Sequence, residues 1–412
     1  MRKMKDSGIE WIGEIPEGWE VVPVKRLCTM QAGKNLTSEQ IAPEGTYPVY
    51  GGNGIRGFFS DYNCDGQFLT VGRQGALCGN VHKINGKVWA TEHAVITTPS
   101  SYAILDFLYY LLIGMDLNQY VSSTAAQPGL AVGTLLNLKT CYPCSTLEQT
   151  QISNYLNAKC SEINIMLSKT RSSIEEYKKL KQAVITQAVT KGVRGEREMK
   201  DSGVEWIGEI PKEWGRTKIK MIASFFNGDR TSRYPQPTDF VDDGIAFLTS
   251  RNIDGDEVDL SETKYITKSK YNSLSGAKIQ IDDIIFCLRG SVGKCAINRT
   301  LSCGTVASSL ATIRPKDIHP KYLLYFLLSN VASIQTAVFM NGTCAANLSA
   351  ENVANYYITL PRSTEQKEIA DYLDAKCAEI DGLIAKKEQL VKELESYKKS
   401  LIYEVVTGKR EV

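Results

Sequence analysis

The sequence predicts an α+β protein in which two mixed α/β domains are joined by two long helices paired as an antiparallel coiled coil. Three observations predict this architecture. A 16-residue segment occurs twice. Two long stretches carry apolar residues at coiled-coil spacing, and the segments between these features alternate short β-rich runs with Gly, Asp and Asn turns. The duplication gives the predicted fold a pseudo-two-fold internal repeat.

A short box opens each half of the chain. Residues 4–19 read MKDSGIEWIGEIPEGW and residues 199–214 read MKDSGVEWIGEIPKEW, with three differences. The two tryptophans and the isoleucines of each box predict an apolar clamp at the entrance of a domain, and the proline stops any helix. An interaction surface is the alternative interpretation of the same side chains.

A second repeat predicts the long helices. Residues 148–163 and 365–380 are identical at ten of sixteen positions. Apolar residues recur through both stretches at spacings of three and four, without proline, which is typical of a coiled-coil seam. Roughly 43 residues at about 1.5 Å each make a rod of about 65 Å. We expect the two rods to bury their apolar stripes against each other.

The two repeats together predict the domain boundaries. The boxes are offset by 195 residues and the helices by 217, so the insert is longer in the second half. The boxes and helices are alike in the two halves, whereas the inserts between them differ. This pattern indicates that the two inserts bind different ligands, although duplication followed by drift is an alternative. The predicted segments are a first box and domain at 1–146, a first helix at 147–192, a linker, second box and second domain at 193–362, and a second helix at 363–412.

Composition and charge exclude several classes of protein. The 412 residues are 43% hydrophobic and 23% charged, which is ordinary for a globular chain. No targeting segment or membrane span is evident, and eleven unevenly spaced cysteines favour free thiols in a reducing cytoplasm. The net charge is only +2, with 17 Lys and Arg against 13 Asp and Glu in residues 215–362. Any nucleic-acid surface must therefore be local.

Motifs of catalysis and cofactor binding are missing or out of context. Gly52, Gly54 and Gly57 form a G-x-G-x-x-G pattern, but no helix-forming segment follows it. Cys141 and Cys144 form a lone C-x-x-C, which favours structural thiols over zinc. There is no P-loop, no nucleophile–base constellation and no Asn/Asp-Pro-Pro-Tyr/Phe segment of an amino-methyltransferase. The sequence therefore predicts a chain that is not an enzyme and binds no metal or cofactor.

Taken together, the two boxes, the two EQ…I…YL.AK..EI helices and the diverged inserts resemble the specificity (S) subunit of type I restriction-modification systems over essentially the whole chain. The resemblance implies that the inserts are target recognition domains, each reading one half of a split, asymmetric sequence in double-stranded DNA. It implies that the helices are conserved spacers that dock two modification (M) subunits. A paired rod would then set the distance between half-sites.

The same resemblance implies where the chemistry resides. The M subunits would methylate adenine N6 with S-adenosylmethionine, and restriction (R) subunits would add translocation and cleavage that depend on ATP and Mg. No cofactor is expected on this chain. The expected location is the cytoplasm, without a membrane partner.

Candidate DNA contacts follow from base chemistry. Arg suits guanine and Asn or Gln suits adenine, whereas Lys, Ser and Thr suit phosphates. Arg73 and Arg289 carry extra weight because they occupy the same glycine-rich loop in both halves. For each candidate, a solvated surface residue is the alternative. The first-insert candidates are Gln31, Lys34, Asn35, Asn53, Arg56, Arg73 and Gln74. The second-insert candidates are Asn227, Arg230, Arg233, Arg251, Asn252, Arg289, Ser291 and Lys294.

Two other functions stay open on the residues alone. A coiled-coil scaffold whose two inserts bind protein partners explains the rods and the repeat, but gives no reason for Arg and Asn in turn-rich loops. An enzyme with an unrecognised active site lacks any supporting motif.

Overall fold

The computed structural model describes residues 2–74, 78–121, 129–340 and 347–412. The chain divides into two compact units. The first unit contains Met1–Arg171 and Glu388–Val412, and the second contains Ser172–Lys387. The predicted fold class, with its internal repeat and paired long helices, is confirmed. The sequence-based domain boundaries stay a prediction.

The first unit contains the first box and the first insert. Its strands are β1 (Met4–Asp6), β2 (Glu14–Pro16), β3 (Trp19–Pro23), β4 (Cys28–Ala32), β5 (Tyr47–Gly51), β6 (Gly54–Phe59), β7 (Gln67–Gly72), β8 (Val81–Asn85), β9 (Trp89–Ala90), β10 (Ala94–Pro99) and β11 (Lys139–Pro143). Its helices are α1 (Val24–Leu27), α2 (Leu105–Gly114), α3 (Val132–Asn137) and the first part of α4 (Thr146–Lys191).

The second unit contains the second box and the second insert. Its strands are β12 (Met199–Asp201), β13 (Glu209–Pro211), β14 (Gly215–Lys218), β15 (Ala223–Asn227), β16 (Phe240–Val241), β17 (Ile245–Leu248), β18 (Lys264–Ile266), β19 (Ile284–Cys287), β20 (Cys295–Ile297), β21 (Gly304–Val306), β22 (Leu310–Pro315) and β23 (Tyr357–Leu360). Its helices are the last part of α4, α5 (Lys268–Ser273), α6 (Pro320–Leu328), α7 (Asn330–Met340), α8 (Ala350–Ala354) and the first part of α9 (Ser363–Val406), whose last part belongs to the first unit.

Both inserts contain a four-stranded antiparallel sheet of the same topology. The strand order is β4-β10-β7-β8 in the first unit and β15-β22-β19-β20 in the second. Since β10 is antiparallel to both of its neighbours, β4 and β7 end at the same edge of the sheet. The strands β15 and β19 do the same around β22. A smaller sheet adds a parallel pair to each unit, β5 with β9 and β17 with β21. The loops at these carboxyl ends carry most of the candidate residues.

Each box forms a hairpin and an apolar clamp. In the first box Met4 pairs with Pro16, and Ile12, Ile15 and Trp19 are at most 2% exposed. The buried Trp19 indole also reaches the helix repeat, because its Nε1 donates to Oε1 of Glu148 over 3.1 Å. This contact joins the two conserved segments of the first half within one core.

The second box repeats this contact in a more buried form. Nε1 of Trp214 donates to Oε2 of Glu365 over 3.0 Å, and a guanidinium nitrogen of Arg197 lies 2.7 Å from Oε1 of the same carboxylate. The side chain of Glu365 is 3% exposed, whereas that of Glu148 is 23% exposed. The carboxylate of Glu365 is therefore shielded from water, whereas the equivalent carboxylate of Glu148 is partly exposed.

The long helices pair antiparallel in both units. In the first unit Nζ of Lys398 donates to Oδ1 of Asn164 over 2.8 Å, and Arg171 forms an ion pair with Glu395. In the second unit Nζ of Lys181 lies 2.7 Å from a carboxylate oxygen of Asp381. Later residues of α4 thus meet earlier residues of α9. The hydrophobic core of the first unit includes both helices, with Ile152, Leu156, Leu167, Leu401, Ile402, Val405 and Val406 among its members.

The glutamine that both helix repeats share anchors a short helix that precedes it in the chain. Oε1 of Gln149 accepts from the backbone N–H of Ile104, and Oε1 of Gln366 accepts from that of His319, over 2.9 and 2.8 Å. Ile104 and His319 are the residues before α2 and α6, whose first backbone N–H groups have no partner within the helix. The buried amide therefore positions each helix.

Among the described residues, no single helix is long and apolar enough to cross a membrane. The helices α6 and α7 reach that length and composition only together, and they are bent by 61° relative to each other. The apolar side chains of α6 from Tyr322 to Leu327 are buried in the core of the second unit.

Candidate nucleic-acid interface

Two loops of the first unit touch through glycines. A Cβ atom on Gly72 would lie 1.9 Å from the carbonyl oxygen of Gly52, so only glycine allows the end of β7 to approach the β5–β6 turn this closely. Across the contact, Nδ2 of Asn80 donates to Oδ1 of Asn53 over 2.8 Å. The contact brings Asn53, Gln74 and Asn80 to one edge, because Gly52 also lies against the backbone of Gln74.

Several polar atoms at this edge are buried without a partner. They are Nε of Arg73, Nε2 of His82, Oε2 of Glu92 and Nδ1 of His93. Burial also lowers the pKa of His82, which favours its neutral form. Leaving such an atom unpaired costs about 1–3 kcal/mol.

The remaining first-unit candidates lie close to the same edge. Gln31 is exposed on β4, and Lys34 and Asn35 are exposed directly after that strand. Arg56 is exposed on β6, with its aliphatic stem against Gly51. The chain leaves β4 through Gly33, where a Cβ atom would lie 2.3 Å from the carbonyl oxygens of Ala90 and Thr91.

In the second unit the end of β15 leads into a loop organised by Asp229. The side chain of Asn227 is exposed, as are Arg230 and Arg233. Asp229 is 3% exposed, and its carboxylate accepts from the backbone N–H and hydroxyl of Thr231 and of Ser275, over 2.7 to 3.1 Å. Burial alone would raise the pKa of Asp229, but these hydrogen bonds lower it well below the ordinary range. The ionised carboxylate therefore holds the backbone that presents Arg230.

This network predicts a pH-dependent stability. Because the pKa of Asp229 is lowered in the fold, its contribution is complete above the ordinary aspartate pKa of about 4. The contribution is lost as the pH falls through the lower folded value. We expect Asp229→Asn to reduce the free energy of unfolding by about 1–3 kcal/mol at pH 7. The difference between the free energies of unfolding at pH 7 and at pH 3, measured by urea titration, should also become smaller in this variant. Asp259→Asn is the control, since the exposed carboxylate of Asp259 bonds only Ser261 among the described residues. Equal effects of the two substitutions would contradict the assignment.

The loop between β19 and β20 presents three candidates together. Arg289, Ser291 and Lys294 are all exposed. Gly290 and Gly293 have φ angles of +73° and +89°, which L side chains rarely adopt. The glycines therefore shape this loop, and the three polar side chains lie at the edge where β19 ends.

The turn after β17 separates two neighbouring candidates. Arg251 is exposed, and its guanidinium lies 3.9 Å from an exposed carboxylate of Glu262. Asn252 is 1% exposed. Its Oδ1 accepts from the backbone N–H of Thr249, and its Nδ2 donates to Asp259 and Thr263. The side chain of Asn252 therefore stabilises the turn, and this placement does not support a DNA contact.

The backbone register corrects the comparison of Arg73 with Arg289. The leucines at 130 and 348 donate their backbone N–H to the carbonyl oxygens of Arg73 and Leu288, respectively. One residue later, Gln74 and Arg289 each form an isolated bridge with the residue before that leucine. Gln74, and not Arg73, is therefore the structural equivalent of Arg289. The residues between Gln74 and Cys78 in this loop lie outside the described part of the chain.

Sequence reasoning also missed several residues of these edges. Asn80, His82 and His93 were not candidates in the first unit, nor was Asp229 in the second. The Gly-Asn pair that ends the glycine-rich loop is a signal for Asn80, but only the pairing of strands brings His82 and His93 to the same edge.

The structure places Cys141 of the C-x-x-C pair in the core of the first unit and leaves Cys144 exposed. Among the residues that the structure describes, no group of three or more His, Cys, Asp or Glu side chains is arranged to hold a metal ion. Burial raises the pKa of Cys141 to about 12, and its thiol donates to the carbonyl oxygen of Val406. Cys141 is therefore a buried neutral thiol of the first core.

Comparisons with known proteins connect this architecture to one family. The family model of the type I restriction modification DNA specificity domain matches residues 16–176 and again residues 211–393. The EcoprrI specificity subunit of Escherichia coli is 45% identical over 121 residues, which are 28% of this chain and 30% of that protein. The MjaVIII specificity subunit of Methanocaldococcus jannaschii is 23% identical over 418 aligned residues, covering 96% of this chain and 93% of that protein.

A solved structure shows the same fold over nearly the whole chain. It comes from a study of complex assembly and conformational transition in a type I restriction-modification system, and it superposes with a TM-score of 0.71 at 14% identity, covering 96% of this chain and 99% of its own. The two matches of the family model fall on the two halves of the internal repeat. The chain therefore belongs to the type I restriction-modification DNA specificity family, as a recognition chain and not as a catalytic one.

Proposed function

We propose that this chain reads a bipartite, asymmetric sequence in double-stranded DNA and directs adenine-N6 methylation and restriction by partner subunits. The observation that carries the proposal is one sheet topology present in both units, with different polar side chains at the same loop-bearing edge. A shared topology supports the same task in both units. Different side chains support two unlike half-sites.

The paired helices offer a surface for M subunits. Within the first unit, long apolar side chains of these helices stay between 42% and 53% exposed: Ile165, Met166, Leu390 and Tyr397. Exposed apolar groups of this size are suited to a protein partner. In this proposal the M subunits hold S-adenosylmethionine, the R subunits use ATP and Mg, and the assembly acts in the cytoplasm.

Single-molecule sequencing of host DNA tests the proposal. We expect a split motif with a methylated adenine in each half, which disappears when the gene for this chain is deleted and returns when it is restored. Gel shifts with random-sequence duplex DNA, with and without co-purified M subunit, provide the second measurement. Unchanged host methylation together with no DNA binding would reject DNA recognition and favour a scaffold that binds proteins.

One substitution addresses the second unit directly. Arg289 is exposed at the end of β19 and, among the described side chains, forms no ion pair. We expect Arg289→Ala to weaken DNA binding about tenfold or to relax one base position, because a well-formed Arg–guanine contact is worth about 1–3 kcal/mol. Methylome sequencing and a binding titration measure the two effects. Unchanged affinity with an unchanged motif would remove Arg289 from the interface.

A further inference from the structure

The two loop-bearing edges can be matched position by position through their backbone hydrogen bonds. Gln74 and Arg289 are one matched pair, because each forms the isolated bridge described above. The strand register agrees, since Gly72 pairs with Ala94 as Cys287 pairs with Leu310. An amide in the first unit thus stands where the second unit has a guanidinium.

A second matched pair lies where each loop re-enters the sheet. The backbone N–H of Gly72 donates to the carbonyl oxygen of Asn80 over 2.9 Å, and that of Cys287 donates to Lys294 over 2.8 Å. The glycine before each acceptor has a nearly equal φ, +93° at Gly79 and +89° at Gly293. Asn80 therefore occupies the position of Lys294. Again an amide corresponds to a cation.

The third pair lies after the first strand of each parallel pair, β5 in the first unit and β17 in the second. The backbone N–H of Thr91 donates to the carbonyl oxygen of Tyr50, and that of Ala307 donates to Leu248, over 2.9 and 2.8 Å. Tyr50 and Leu248 are thus equivalent, and three residues further along the chain stand Asn53 and Arg251. Asn53 and Arg251 are both exposed in the turn that follows. At the same distance from this match along the chain, the first unit has an amide in a hairpin turn and the second a cation in a helical turn.

The side chains differ in how they are held as well as in charge. The two amides Asn53 and Asn80 are hydrogen-bonded to each other, which fixes their orientation before any ligand binds. Among the described residues, neither Arg289 nor Lys294 is within ion-pair distance of a carboxylate, and the Arg251–Glu262 pair is exposed and long at 3.9 Å. The three cations are therefore available to an acceptor from outside.

We infer that the two units read different base chemistry: the first unit reads adenine through Asn53, Gln74 and Asn80, and the second reads guanine through Arg251, Arg289 and Lys294. Asn and Gln match the N6 donor and N7 acceptor of adenine, whereas Arg and Lys match the O6 and N7 acceptors of guanine. The inference rests on the proposed function and adds to it which base class each half-site presents to these positions.

Reciprocal exchange of the best-defined pair tests the inference. Wild-type chain, Gln74→Arg and Arg289→Gln are each assembled with M subunits and used to methylate genomic DNA, which is then sequenced for methylated adenine. We expect Gln74→Arg to change one position of one half-site from adenine to guanine. We expect Arg289→Gln to change one guanine of the other half-site to adenine, or to relax it. Each preference should shift about tenfold or more.

The unaltered half-site is an internal control for folding, since each variant must still read it. Lys139→Gln and Lys220→Gln are matched surface controls, because both side chains are exposed away from the loops after β7 and β19, and both should leave the motif unchanged. If Gln74→Arg acts on a wild-type G·C pair, or if neither exchange alters the motif, the inference is wrong while DNA recognition stands. If the wild-type assembly yields no split motif, the proposed function fails first and the inference falls with it.

Discussion

Glu365→Ala is expected to lower the free energy of unfolding by about 1–3 kcal/mol, the cost typical of leaving a buried hydrogen-bonding group without its partner. The carboxylate accepts from the indole of Trp214 and from Arg197, whose side chain is only 14% exposed. Removing Glu365 leaves the buried indole N–H without its acceptor, whereas the guanidinium of Arg197 keeps Glu213 and the carbonyl oxygen of Lys191 as partners. Chemical denaturation followed by tryptophan fluorescence measures the loss.

The internal repeat supplies a matched comparison for this prediction. Glu148 makes the equivalent contacts with Trp19 and Arg2, but its side chain is 23% exposed and that of Arg2 is 38% exposed. Solvent compensates exposed charges, so Glu148→Ala should cost clearly less than Glu365→Ala. Glu368→Ala removes a half-exposed pair with Arg194 and should cost no more than about 1 kcal/mol. Equal losses of unfolding free energy in the three variants would show that burial does not determine how much these contacts stabilise the fold.

Gly72→Ala is expected to destabilise the first unit by about 1–3 kcal/mol and to abolish or relax recognition of one half-site. The Cβ atom of alanine at position 72 would lie 1.9 Å from the carbonyl oxygen of Gly52. A backbone carbonyl cannot relieve this clash by changing a side-chain rotamer. The β5–β6 turn must therefore move, and with it Asn53. Urea denaturation and methylome sequencing measure the two consequences.

Gly133→Ala is the control for this substitution. Gly133 lies in α3 with open space where its Cβ atom would be, so alanine should be neutral or slightly stabilising there. The half-site read by the second unit should persist in Gly72→Ala. A variant that loses both half-sites equally would place the effect in the whole chain and contradict a local role for the glycine contact.

The parts of the fold that depend on local pattern could be predicted from the sequence. The apolar period of three and four residues predicted α4 and α9, because the apolar stripe of a coiled coil depends only on the local sequence. The burial of Ile12, Ile15 and Trp19 followed from the density of apolar side chains in the box. These features need no knowledge of distant partners.

The strand order and the register could not be predicted, because they depend on pairing between residues that are far apart in the sequence. The sheet β4-β10-β7-β8 joins strands from separate parts of the insert, and no local signal records that choice. The loop from Gln74 to Asn80 is also one residue longer than the loop from Arg289 to Lys294, so the similarity of the two arginines in sequence pairs Arg289 with the wrong residue. The sequence equally hides that Asn252 caps a turn, because burial is a property of the surrounding structure.

The core of the first unit includes Leu401, Ile402, Val405 and Val406. These residues follow the whole of the second unit along the chain, although most of their partners in the core precede it. During synthesis the second unit therefore has all its segments before the core of the first unit is complete. A stop codon directly after Lys387 would consequently remove part of the first core and leave every segment of the second unit.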